Sequence, residues 1–224
     1  MSECRNKASG TMLAKKQPDY IVVEGPIGAG KTTLAKRLAE SFGTELLLEG
    51  VDENPFLKRF YSDPSSVALQ TQLFFLFQRA EQIKLLRQTD MFQPVRVADY
   101  MIEKDRLFAE LTLDDEEFKL YDQVYSHVTI DAPRPDMVVY LQAPVDVLQR
   151  RIAERGRDYE RTMGSDYLLR LSERYMEFFH YYSDAPLLIV NTSDINFAHN
   201  DDDYELLLQQ VRKINSGRHY FNPA

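Results

Sequence analysis

Gly25-Pro26-Ile27-Gly28-Ala29-Gly30-Lys31-Thr32 packs three glycines, a lysine and a hydroxyl into eight consecutive residues. That spacing suits phosphate chemistry. The glycines let backbone amides turn inward around an anion, the lysine reaches the β- and γ-phosphates, and the threonine hydroxyl sits on Mg²⁺. Gly25, Gly28, Ala29, Gly30, Lys31, Thr32 and Thr33 are therefore the candidate nucleotide-binding residues, and a nucleoside triphosphate is the expected ligand. The guanine-reading segment Asn-Lys-x-Asp of small GTPases is absent, and so is the Leu-Ser-Gly-Gly-Gln signature of transporter ATPases. A kinase of small molecules is the class that remains.

A second group supports phosphoryl transfer. Arg150, Arg151, Arg155 and Arg157 cluster around Gly156. Transfer of a phosphoryl group is catalysed mainly by positioning and positive charge, which a mobile arginine lid can bring in while excluding water. Arginines in the last helical turn before a glycine equally satisfy the dipole and the cap. Their company with a phosphate loop favours the lid, with Arg151 toward the nucleotide and Arg155 and Arg157 toward the migrating group.

Acceptor chemistry needs a base and a binding surface. Glu49 and Asp99 each follow a short apolar run, where ligands of parallel α/β sheets bind. Glu49 there could take a proton from an attacking hydroxyl, or be a solvated loop acid. Asp99 could hold Mg²⁺, or cap a helix. Gln72 and Arg79, seven apart beside Phe75 and Leu76, could grip a flat heterocycle by edge hydrogen bonds and stacking, or be satisfied by their neighbours.

The elements that must hold these groups alternate. Apolar runs at 20–23, 45–48, 95–98, 137–141 and 187–190 read as strands. Helical spacing covers 31–42, 65–88, 113–128, 145–155, 165–182 and 203–214. Alternation of this kind implies right-handed crossovers and an α/β fold, a doubly wound parallel sheet flanked by helices. Residues 1–17 read as a flexible tail, 18–216 as one domain, and 217–224 as a C-terminal tail.

Composition narrows the function. The 224 residues carry 27 Lys+Arg against 35 Asp+Glu, a formal net charge of −8, which argues against a nucleic-acid partner. Apolar runs such as Leu73–Phe77 stop far short of a membrane span. The single cysteine, Cys4, permits no internal disulfide, and the four histidines are scattered. A cytoplasmic enzyme is the expectation.

Together these residues resemble the deoxyribonucleoside kinase family, salvage enzymes of the P-loop kinase type that phosphorylate the 5′-hydroxyl of deoxynucleosides. The similarity runs from Tyr20 to about Lys213. The segment Glu49-Gly-Val-x-x-Asn54-Pro55 is similar to the one carrying the family's general base, which implies that role for Glu49. Tyr61 and Gln72 match the tyrosine on the sugar 3′-hydroxyl and the glutamine on the base. Arg79 and Asp105 match the arginine–acid pair of members that take cytosine or purine deoxynucleosides. The segment Arg151-x-x-x-Arg155-Gly-Arg157-x-x-Glu160 is similar to the family's lid, with Glu160 placed like the glutamate that also holds the 3′-hydroxyl. ATP, Mg²⁺ on Thr32 and Asp99, and a homodimer through helices such as 65–88 and 113–128 follow from the same resemblance. One departure stands out. The family's acid-Arg-Ser triplet is here Asp99-Tyr100-Met101, so either Arg155 and Arg157 suffice or Arg106 takes the arginine's place. An alternative alignment puts Asp105-Arg106 on the triplet; the first is preferred because Asp99 falls at the strand end and Asp105 then keeps the family spacing. A nucleoside monophosphate kinase of thymidylate type would want further basic residues near Arg79, and a non-catalytic ATP-binding switch would leave Tyr61, Gln72, Arg79 and Asp105 without a purpose.

Overall fold

A computed structural model describes residues 18–88, 96–129 and 132–222. The tail expected at 1–17 lies outside these residues.

Six strands form one sheet: β1 (Tyr20–Glu24), β2 (Leu46–Leu47), β3 (Arg96–Ala98), β4 (Met137–Gln142), β5 (Leu187–Asn191) and β6 (Arg218–Phe221). The order is β2-β3-β1-β4-β5-β6, and every pairing is parallel. Parallel strands need crossovers, which the helices provide: α1 (Lys31–Phe42), α2 (Leu57–Ser62), α3 (Ala68–Gln88), α4 (Lys104–Thr112), α5 (Asp115–Val128), α6 (Val145–Arg155), α7 (Ser165–Tyr181) and α8 (Asp201–Lys213). The doubly wound α/β architecture is the one expected.

Alternation along the central strands divides the core in two. Ile21, Val23, Val139 and Leu141 pack with Leu34 and Leu38 of α1 and Leu207 and Val211 of α8. Val22, Val138 and Tyr140 face Leu107 of α4 and Leu171, Tyr175 and Phe179 of α7. Both faces of β1 are covered, so its carboxyl end is held rigidly from either side. No helix among the described residues is long and apolar enough to cross a membrane.

Two features depart from the expected organisation. Within the segment expected as a C-terminal tail, Arg218–Phe221 pair with β5 as β6. Only Arg218 and Phe221 are half-buried there, so the segment lacks a hydrophobic pattern. The Arg218 guanidinium fixes it by donating to the carbonyls of Phe179, His180 and Tyr182 at 2.8–3.1 Å, at the carboxyl end of α7. The other is α4, a nine-residue helix without a side-chain N-cap that carries Lys104 at its start, against the usual preference for acids.

Gly25 shows how tightly the phosphate loop is built. Its φ is +152°, and a β-carbon there would stand 2.5 Å from the Leu141 carbonyl oxygen. Gly25→Ala is expected to lower stability by about 1–3 kcal/mol from backbone strain, read as an earlier urea midpoint.

Candidate active site

The loop between β1 and α1 opens at the carboxyl end of the central strand, beside the point where chain order reverses between β3 and β4. Lys31 Nζ donates to the carbonyls of Gly25 at 2.7 Å and Pro26 at 3.2 Å, folding over its own loop. Burial, and then the nearby Lys104 ammonium, lower its pKa to about 8. Beneath the loop, the Glu24 carboxylate accepts from the Gly25 amide, the Met101 amide and the Tyr175 hydroxyl at 2.8–3.1 Å. That buried acid ties the loop to both the β3–α4 connection and α7.

Thr32 Oγ1 donates to Asp99 Oδ2 at 2.5 Å, and the other Asp99 oxygen accepts the Glu49 amide at 2.9 Å. Asp99 thus joins the phosphate loop to the segment after β2. A hydroxyl and a carboxylate this close are hard oxygen donors of the kind Mg²⁺ takes, with phosphate and water completing its shell. Among the described residues no group of three or more His, Cys, Asp or Glu converges, so the pair fits an ion shared with a bound nucleotide rather than one caged by protein.

A cavity of about 350 Å³ extends from Lys31 and Thr32 toward α3 and the lid. Glu49 stands midway. Its Oε1 accepts from Arg79 Nη2, and its Oε2 accepts from Lys104 Nζ at 2.6 Å. Burial alone would raise the Glu49 pKa, but Arg79 and Lys104, with Lys31 beyond, hold it down at about 2. Arg79 lies over the Phe75 ring and also pairs with Asp105, forming the second leg of a carboxylate–guanidinium–carboxylate chain. Asp105 Oδ2, an acceptor, and Arg79 Nε, a donor, are both buried without a hydrogen-bond partner. Gln72, also buried, donates to Thr112 Oγ1 at 3.1 Å and lines the same cavity with Tyr61 and Glu160.

The lid begins where α6 ends at Gly156, whose φ is +71°. Arg155 holds Glu160 through two hydrogen bonds, at 2.6 and 3.1 Å. Arg157 reaches Asp52 at 3.3 Å, and the Tyr159 hydroxyl donates to the other Asp52 oxygen at 2.6 Å. Tyr159 also stacks on Tyr61. Asp52 and Tyr159, which sequence spacing did not single out, therefore link the lid to the segment after β2 and to α2. Arg151 takes a different course from Arg155: its guanidinium donates to the Thr192 hydroxyl and carbonyl at 2.9 and 2.6 Å, on the loop after β5.

The family model for deoxynucleoside kinase matches residues 21–216. The chain belongs to the deoxynucleoside kinase family. It is 36% identical over 203 residues to a deoxyguanosine kinase of Bacillus subtilis, covering 87% of this chain and 97% of that protein. A deoxyadenosine kinase of Lactobacillus acidophilus is 31% identical over 205 residues, covering 85% and 94%. Among solved structures, deoxyadenosine kinase from M. mycoides with bound dCTP matches with a TM-score of 0.75 and 25% identity, over 87% of this chain and 100% of that one. The α/β fold, the P-loop kinase type and the assignment as a kinase enzyme follow.

For this deoxynucleoside kinase, the departure at Asp99-Tyr100-Met101 has a structural sequel. Tyr100 is buried and donates its hydroxyl to Gln82 Oε1 at 2.5 Å, so it brings no charge. Arg106 faces Glu110 and Asp122 at 3.5 and 3.4 Å and is not among the residues lining the cavity. Lys104 supplies a second cation beside Glu49, on the oxygen opposite Arg79. It escaped sequence reasoning because nothing in the pattern between Ala98 and Leu113 marked a helix, and so nothing set its direction.

Proposed function

We propose that the enzyme transfers the γ-phosphoryl of ATP, with Mg²⁺, to the 5′-hydroxyl of a purine or cytosine deoxynucleoside, a nucleotide-salvage reaction. The observation that carries this reading is Glu49, an ionised carboxylate placed between the phosphate loop and the Arg79–Asp105 pair. A hydroxyl acceptor needs a proton taken from it, whereas an acceptor that already bears a phosphate does not. The unpartnered Asp105 and Arg79 atoms support a base that presents donor and acceptor on one edge. Tyr61 and Glu160 would hold the sugar 3′-hydroxyl, Gln72 the base, Lys31, Arg155 and Arg157 the migrating phosphoryl, and Arg151 the nucleotide. Thr32 and Asp99 would hold Mg²⁺, which supplies charge neutralisation at the phosphates; Gly25, Gly28, Ala29, Gly30 and Thr33 complete the cradle.

The test is ADP release from Mg-ATP with deoxyguanosine, deoxyadenosine, deoxycytidine and thymidine, and with their 5′-monophosphates. Turnover with a purine deoxynucleoside or deoxycytidine is the expected result; turnover with monophosphates alone overturns the reading. We further infer a cytoplasmic homodimer. Phe77 of α3 and Leu120 of α5, each about half exposed, support a partner on those helices, and sedimentation equilibrium tests it.

A further inference from the structure

Lys104 is the buried cation for which the reaction above names no task. It is 3% exposed and begins α4, where a positive charge opposes the helix dipole. Local rules broken inside a cavity point to function rather than to packing. Its ammonium meets Glu49 Oε2 at 2.6 Å, its one side-chain ion pair among the described residues. Arg79, on the opposite oxygen, has Asp105 as a second partner. A hydroxyl approaching Glu49 can therefore displace Lys104 and leave the Arg79–Asp105 pair intact. The freed ammonium is carried on a flexible four-carbon stem. Lys31 and Thr32 line the same cavity, and Lys104 already depresses the Lys31 pKa through space.

Resting on the phosphotransfer reading, we propose that Lys104 is a catalytic cation that changes partners: it neutralises Glu49 before the nucleoside binds, then donates to the γ-phosphoryl oxygens of the donor. In that step the nucleoside O5′ forms a bond to the γ-phosphorus while the bond from phosphorus to the β,γ-bridging oxygen breaks. The hydroxyl proton passes to Glu49, and the electron pair leaves with the diphosphate. Lys104 stays protonated throughout. Its contribution is charge delivered where charge migrates, together with release of the Glu49 oxygen that the hydroxyl needs.

The experiment compares the full-length enzyme with Lys104→Gln, Lys104→Met and Lys104→Arg, at saturating Mg-ATP and with varied deoxyguanosine, deoxyadenosine or deoxycytidine. Loss of the charge is expected to lower kcat on the order of 10²–10³-fold, as for one oxyanion donor, with the nucleoside KM moving less than about threefold. Lys104→Gln keeps a hydrogen bond to Glu49, so a role confined to bracing Glu49 would leave it near wild type, while Lys104→Arg should regain at least about tenfold over it. Wild-type turnover with kcat of Lys104→Gln within threefold overturns the role of Lys104 and leaves the kinase reading standing. No deoxynucleoside turnover by the wild type overturns that reading, and Lys104 falls with it. Should the variants unfold, the wild-type enzyme decides: the Lys104 Cε resonance should shift when β,γ-imido-ATP, Mg²⁺ and the deoxynucleoside are added together, and a stationary resonance overturns the proposal.

Discussion

Arg155→Ala is expected to lower turnover by about 10³–10⁵-fold, the range for an arginine aimed at a transferring phosphoryl group. The lid geometry gives the reason. Gly156 ends α6 in a left-handed turn, so Arg155 and Arg157 leave the helix on the cavity side. Glu160 holds the Arg155 guanidinium through two hydrogen bonds, which fixes the fork in one orientation. An oriented guanidinium meets developing charge without reorganising at the moment of transfer. Arg155 is about two-fifths exposed, but its partner Glu160 is buried, so the variant should also lower the urea midpoint by a stability loss of about 1–3 kcal/mol. A loss of that size does not unfold the enzyme, so the fall in turnover of the folded variant still reads the chemistry. Arg157 pairs with Asp52 from the other side of the cavity and should behave similarly. Losses below tenfold in both Arg155→Ala and Arg157→Ala would mean that the arginines cap α6 and do no chemistry.

Glu49→Gln should reduce kcat by about 10²–10⁴-fold, the range for a positioned general base. The carboxamide keeps the shape but accepts no proton. Removing the anion also strands the Lys104 ammonium, while Arg79 keeps Asp105, so a stability loss of about 1–3 kcal/mol should accompany it. The pH behaviour follows from the sign of the shift. The Glu49 pKa falls from an ordinary 4.5 to about 2 because two cations hold its charged form against burial. Its contribution to stability is thus fully present above about pH 4.5 and lost as pH falls toward 2. Nucleoside affinity of the free enzyme should show no inflection from Glu49 between pH 8 and 5. A carboxyl ¹³C signal of Glu49 that titrates within that interval would refute the two-cation arrangement.

Local chemistry was legible in the residues themselves. The phosphate loop could be read because each of its parts is a short-range requirement: glycines for amides turned inward, a lysine and a hydroxyl at fixed offsets, a buried strand before and a helix after. The same holds for the strands beside it, where apolar runs bounded by turn residues admit few other conformations, and for α6, whose end is marked by Gly156. Glu49 and Asp99 were legible as residues at strand ends, but their partners were not. That Asp99 joins Thr32 to the Glu49 amide, or that Glu49 lies between Arg79 and Lys104, depends on the placement of β2 next to β3 and of α3 across from α4. Such contacts join residues 30 to 67 positions apart, and no local period records them.

The segments that sequence alone left unread share a cause. Helix α4 is short, has no side-chain N-cap, and begins with a lysine that a solvent-exposed helix would place elsewhere. Strand β6 carries no alternating face and is held by backbone pairing with β5 and by Arg218 on the end of α7. Arg151 and Arg155 lie four apart on one helix, and their separate partners, Thr192 for one and Glu160 for the other, lie outside that helix, where no helical period marks them. Residue types and spacing by themselves determined the α/β architecture, the phosphate chemistry and the candidate carboxylates, because those are set by backbone geometry within a few residues. Which cations flank Glu49, and which partners hold the arginines, was decided by the tertiary structure, because charged side chains inside a cavity go where a counter-charge meets them.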